Sequence, residues 1–188
     1  MSTRTSADIA RAIIGEVQAV LDRVDPEETD RLIAEIGAAQ KVFIFAVGRV
    51  FLALQCLGKR LGHLGIDCQV VGSITEKPIT PRDLLLIASG SGESKLPAEI
   101  ARIAKGKGAR LGIITSARAS TIKSLSDFAV HLPCPTKNDP AAGVRSTQAM
   151  TNLFDQTLHL YGDVVAMMIQ QGKGMRDEDL WQFHANLE

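Results

Sequence analysis

Residues Leu84–Lys95 read LLLIASGSGESK, an unbroken apolar run that empties directly into small residues and hydroxyls. Leu84–Ala88 has the character of a strand buried on both faces, as at the centre of a parallel sheet. Beyond it, Gly90 and Gly92 allow a sharp turn and a close backbone approach to a ligand. Ser89, Ser91 and Ser94 offer hydroxyls to anionic oxygens, and Pro97 suits the first turn of a helix whose N-terminus favours an anion. Without a ligand the same residues make an ordinary strand-to-helix turn.

Outward from this stretch, strands alternate with helices. Ile9, Ile13, Val17, Val20, Leu21 and Val24 mark an amphipathic helix from Ser6 to about Val24. Asp25-Pro26 caps and opens a second helix to about Gln40. Val42–Val47 reads as a first strand, Gly48-Arg49 as the turn into a helix ending near Gly65, and Ile66–Val71 as a second strand. After the Leu84–Ala88 strand come a helix from Pro97 to about Lys107, a strand Arg110–Thr115, a short helix from Ser120 and a strand Phe128–Leu132. A breaker-rich loop, 133–143, precedes one long helix from about Ser146 to Gln171 and a last short one from Arg176. This order predicts an α/β fold, a three-layer αβα sandwich around a five-stranded parallel sheet, doubly wound in the flavodoxin-like or Rossmann-like manner. One domain spans 1–188, with N-terminal helices 6–40 and C-terminal helices 146–188 belonging to it.

Composition narrows the function classes. Twenty-one basic and twenty-one acidic side chains cancel, which gives no electrostatic case for nucleic acid or an anionic membrane. Aromatics make up 4% against 45% hydrophobic residues, so the core is aliphatic. Cys56, Cys68 and Cys134 lack metal-ligand or disulfide-framework spacing and point to a reducing compartment. The N-terminal MSTRTSADIARAI lacks the apolar segment of a secretory signal, and no run approaches ~18 apolar residues. A cytoplasmic location is expected.

In a parallel sheet, the turns after Val42–Val47 and Leu84–Ala88 reach the same edge, so Gly48, Arg49 and Ser89–Ser94 can serve one anion-binding cleft. The first turn, AVGRVF, has no GxGxxG, and the second strand ends in Val70-Val71-Gly72 without an acidic residue, which disfavours a dinucleotide.

IFAVGRVF, GKRLGHLG, VVGSIT and LLLIASGSGES together resemble the sugar isomerase (SIS) domain family. Within it, VGR, RLGHLG, NLFDQ at Asn152–Gln156 and the terminal HANLE resemble the 6-phospho-3-hexuloisomerases. The resemblance covers almost the whole chain. It implies interconversion of a 3-hexulose 6-phosphate and fructose 6-phosphate through an enediolate, as in formaldehyde fixation by the ribulose monophosphate route, without metal or cofactor. A catalytically silent phosphosugar binder, or an isomerase for another phosphosugar such as a pentose 5-phosphate, are the alternatives.

Residue by residue, the resemblance implies that Ser89, Ser91 and Ser94 hold the phosphate and that Gly90 and Gly92 permit its approach. Thr75 joins them or meets the sugar, and Arg49, beside Gly48, points into the site. Asp155 stands where the family has a glutamate base, one methylene longer. Val50 stands where it commonly has a serine. His184 matches the family's terminal histidine and, from a final helix, would reach a neighbouring subunit's cleft. Of the other histidines, His63 reads as structural, His131 lies on an edge-like strand, and His159 follows Asp155 on one helix face. The apolar late helix and the resemblance together favour a homotetramer, with a dimer as the alternative and sites near subunit interfaces.

Overall fold

The computed structural model describes residues 4–187. Five parallel strands form one sheet: β1 (Val42–Phe45), β2 (Cys68–Val70), β3 (Leu84–Ala88), β4 (Arg110–Thr115) and β5 (Phe128–His131), in the order β2-β1-β3-β4-β5. Seven helices accompany them: α1 (Ser6–Leu21), α2 (Pro26–Ala38), α3 (Gly48–His63), α4 (Lys95–Gly106), α5 (Thr121–Leu125), α6 (Asn152–Gly172) and α7 (Asp177–Leu180). Asp25 caps α2 by accepting from the Glu27 amide, with Pro26 at the first helical position, where its missing N–H costs nothing.

The period-2 alternation of the strands divides the core. Val42, Ile44, Leu84, Leu86 and Ala88 face one way, against buried residues of α1, α2, α3 and α6. Phe43, Phe45, Leu85 and Ile87 face the other way, against Ala98, Ala101 and Ala104 of α4 and Ile122 of α5. Both faces are covered, which is why the central strands are apolar at every position. Gly112 in β4 leaves room for the Phe128 ring, whose tip would lie 2.3 Å from an added Cβ.

Three expectations are corrected. The long late helix begins at Asn152, not at Ser146, because Ser146, Thr147 and Gln148 direct their hydrogen bonds to Glu16 of α1 rather than along a helix. Met150 and Thr151 then adopt left-handed backbone, both at φ 58°, which no α-helix tolerates. The last helix stops at Leu180 and passes through a 3₁₀ turn, Trp181–Phe183, so His184 lies in extended backbone after it. Finally, Asp155 is buried and His159 exposed, the ~40° that separates positions i and i+4 sufficing to cross the edge of the buried stripe.

The sequence predicts burial of α6 on more than one side; the structure buries its inner face, against α3, α1 and α2. Its outer face carries Leu160, Val164, Met167 and Met168, each at least 38% exposed, beside Ile14 of α1. No helix of the described residues is long and apolar enough to cross a membrane.

Candidate active site

The strand order reverses between β1 and β3, and a pocket of about 180 Å³ opens there at the carboxyl ends of the strands. Val47 and Val50 line it from the β1 side, and Ser89, Gly90, Ser91 and Ser94 from the β3 side. Pro135, Thr136 and Lys137 after β5, with Thr151 and Phe154 at the start of α6, complete the wall.

Ser89 continues the ladder beyond β3, donating its N–H to Ile114 O at 3.0 Å. Its Oγ accepts from the Gly92 amide at 3.1 Å, which closes the turn and leaves the hydroxyl proton available to a ligand. Only glycine serves at position 92. Its φ is +64°, and a Cβ there would lie 2.1 Å from the Ser120 hydroxyl oxygen. Ser94 caps α4 through its backbone alone, with no hydrogen bond from its side chain to the helix. Its hydroxyl and the first-turn N–H groups of α4 therefore remain for an anion, as at other helix N-termini. Gly90 needs no special backbone conformation, and a Cβ there would meet the Phe154 ring at an ordinary 3.5 Å.

Gly48, at φ +61°, turns the chain from β1 into α3 and sets Arg49 on its first turn. The Arg49 guanidinium donates to Asn152 Oδ1, and its Nε lies 3.5 Å from Asp155 Oδ2. The two partners differ sharply in setting: the Arg49 side chain is 59% exposed and that of Asp155 only 11%. Burial raises the Asp155 pKa above the ordinary carboxylate value, and the charge of Arg49 works against that rise. Asp155 does not itself line the pocket, but it shares the first turns of α6 with Phe154, which does.

The structure thus gathers Gly48, Arg49, Asp155 and the Ser89–Ser94 loop at one edge of the sheet. Thr75 is not among them; it sits exposed in the turn after β2 and does not line the pocket. His184 also lies elsewhere. It stacks on His63 at 5.1 Å between ring centroids, with Trp181 at 5.3 Å, and lines a separate cavity with Arg60 and Asp177. His63 ends the helix that Gly48 begins, so His184 sits at the far end of α3, whose 16 residues span about 24 Å, from the turn beside the pocket. Glu188, the last residue of the HANLE match, lies outside the described residues.

Sequence reasoning missed Thr136, Lys137 and Thr151. The breaker-rich loop after β5 was readable as reaching the same sheet edge, and its threonine and lysine were the available signal. His131 donates its backbone N–H to Glu28, its Nε2 lies 3.0 Å from Ser116 O, and it faces the neighbouring cavity. Among the described residues no group of three or more His, Cys, Asp or Glu side chains is placed to hold a metal ion.

The SIS domain family model matches residues 35–160, which contain the sheet and the pocket. A 3-hexulose-6-phosphate isomerase of Mycobacterium gastri is 35% identical over 173 residues, covering 92% of this chain and 86% of the relative. The 3-hexulose-6-phosphate isomerase of Bacillus subtilis (strain 168) is 31% identical over 176 residues, covering 94% and 95%. In fold, the chain is similar to a solved Methanococcus jannaschii protein for which a function of 3-hexulose-6-phosphate isomerase was inferred. The TM-score is 0.82 at 24% identity, over 96% of this chain and 99% of that one. With the family model matched over residues 35–160 and relatives matched over most of their length, the chain belongs to the SIS domain family, in the group that contains the 3-hexulose-6-phosphate isomerases.

Proposed function

We propose that this protein is a phosphosugar isomerase that interconverts 3-hexulose 6-phosphate and fructose 6-phosphate. The phosphate rests on the hydroxyls of Ser89, Ser91 and Ser94 and the N-terminus of α4, with the Lys137 ammonium at the wall. Asp155 removes the proton from the carbon beside the carbonyl, the enediolate forms, and the proton returns to the neighbouring carbon. Arg49 keeps the buried carboxylate ionised and faces the negative charge that develops on the sugar oxygens. His184 of the partner subunit transfers the proton between the two oxygens. Electrons and protons balance within the sugar, so the chemistry calls for no metal or redox cofactor.

The observation that carries this reading is the Arg49–Asp155 pair at 3.5 Å, a buried carboxylate beside a cation at the sheet edge that also carries the Ser89–Ser94 loop. The exposed apolar stripe of α1 and α6 supports assembly into a homotetramer that brings His184 into trans reach. Unpaired Cys56, Cys68 and Cys134 support a reducing, cytoplasmic setting. A coupled assay supplying 3-hexulose 6-phosphate and reading fructose 6-phosphate tests the proposal. Turnover that survives exhaustive chelation is expected; saturable binding without turnover would contradict it.

A further inference from the structure

The linker between β5 and α6 passes from the pocket wall at Pro135–Lys137 back to the wall at Thr151, and its return limb is tied down by one side chain. Glu16 of α1, some 130 positions away in sequence, accepts four hydrogen bonds there: from Ser146 Oγ at 2.7 Å, the Thr147 amide at 2.8 Å, Thr147 Oγ1 at 2.7 Å and Gln148 Nε2 at 3.1 Å. Partial burial opposes the carboxylate's charge, yet these donors outweigh it and take the Glu16 pKa down to about 2.

Immediately after this knot, Met150 and Thr151 occupy left-handed backbone without being glycine. Two such residues in succession persist only where the surroundings over-determine them. The consequence reaches the site, because Thr151 lines the pocket and the next residue, Asn152, accepts from the Arg49 guanidinium. Met150 itself is 87% exposed, so its own packing does not hold the conformation.

We infer that Glu16 is a positioning residue: its carboxylate latches residues 146–148, holds the strained Met150-Thr151 pair, and so sets Thr151 and Asn152 against the bound phosphosugar. The inference rests on the phosphosugar reading of the pocket but on no assignment of the base.

Fructose 6-phosphate binding by calorimetry, steady-state kinetics and limited trypsin cleavage after Arg145 test it in the full-length protein. Glu16→Ala and, from the other end of the latch, Thr147→Val should each weaken fructose 6-phosphate binding, Glu16→Ala by ~10-fold or more given the loss of charge-assisted bonds. KM should rise more than kcat falls, and cleavage after Arg145 should accelerate by more than the accompanying loss of global stability accounts for. Glu16→Asp should recover part of the affinity. Wild-type affinity and cleavage rate in a folded Glu16→Ala protein would overturn the latch, as would equal losses in every readout that track only global unfolding. Should wild type itself not bind fructose 6-phosphate, the phosphosugar reading fails, and the cleavage arm still decides whether Glu16 holds the segment.

Discussion

Replacing Arg49 with glutamine isolates what the guanidinium does for Asp155. At 3.5 Å, two unit charges interact by ~5 kcal/mol at an effective dielectric of ~20. The guanidinium is 59% exposed. Solvent screening reduces that figure to ~1 kcal/mol. Burial already raises the Asp155 pKa, so removing the opposing charge moves it further up. The base must be ionised to act, so the acid limb of the kcat/KM profile should shift upward, with the larger loss below the limb. Arg49→Lys should return the limb most of the way, since the charge remains although the bond to Asn152 Oδ1 is lost. The coupled assay across pH measures both variants. An acid limb that stays where wild type has it, with only KM altered, would show that Arg49 meets substrate and does not tune Asp155.

Other outcomes follow from the same geometry. Ser91→Ala should weaken phosphosugar binding by ~10-fold or more, the worth of one hydrogen bond to an anion, as measured by calorimetry. Gly92→Ala should be worse in both affinity and stability, because its Cβ would meet Ser120 at a φ of +64°; an unchanged melting temperature would count against the turn described above. Asp83 is buried, accepts from the Thr80 amide and hydroxyl at 2.7 Å each, and lies 3.0 Å from Lys41 Nζ. Asp83→Asn should therefore lower stability by ~2–4 kcal/mol in denaturant titration. The Asp83 pKa is depressed in the fold, so its contribution is present above the ordinary carboxylate range and fades as pH falls through the lowered value. Mixed subunits carrying His184→Ala and Asp155→Ala should regain part of the activity each lacks, and a mixture that stays inactive after proven subunit exchange would exclude action in trans.

Local pattern determined what was legible in the sequence. The all-apolar LLLIA and the RLGIIT that follows mark β3 and β4 to the residue, since strands covered on both faces leave no polar alternation to blur their ends. The Ser89–Ser94 turn was legible for a related reason: glycines and small hydroxyl residues directly after a buried apolar run mark where the strand ends. Long-range contacts hid the rest. Residues 146–151 read as the start of the late helix taken alone, and Glu16, far away in sequence, takes hydrogen bonds from 146–148. Thr136 and Lys137 gain their place from the pairing of β5 at the sheet edge, and the separation of His184 from Asp155 follows from the length of α3. Neither is encoded near the residues concerned.

Transfer of the substrate's carbon-bound proton is the central claim, and exchange with deuterated solvent measures it directly. Fructose 6-phosphate incubated in D₂O with wild-type protein should take up deuterium at C3, the carbon whose proton leaves to form the 2,3-enediolate, and not at C1. The folded Asp155→Asn variant should bind the sugar and exchange nothing. Equal exchange by wild type and Asp155→Asn would contradict Asp155 as the base, and binding by wild type without any exchange would contradict the isomerase.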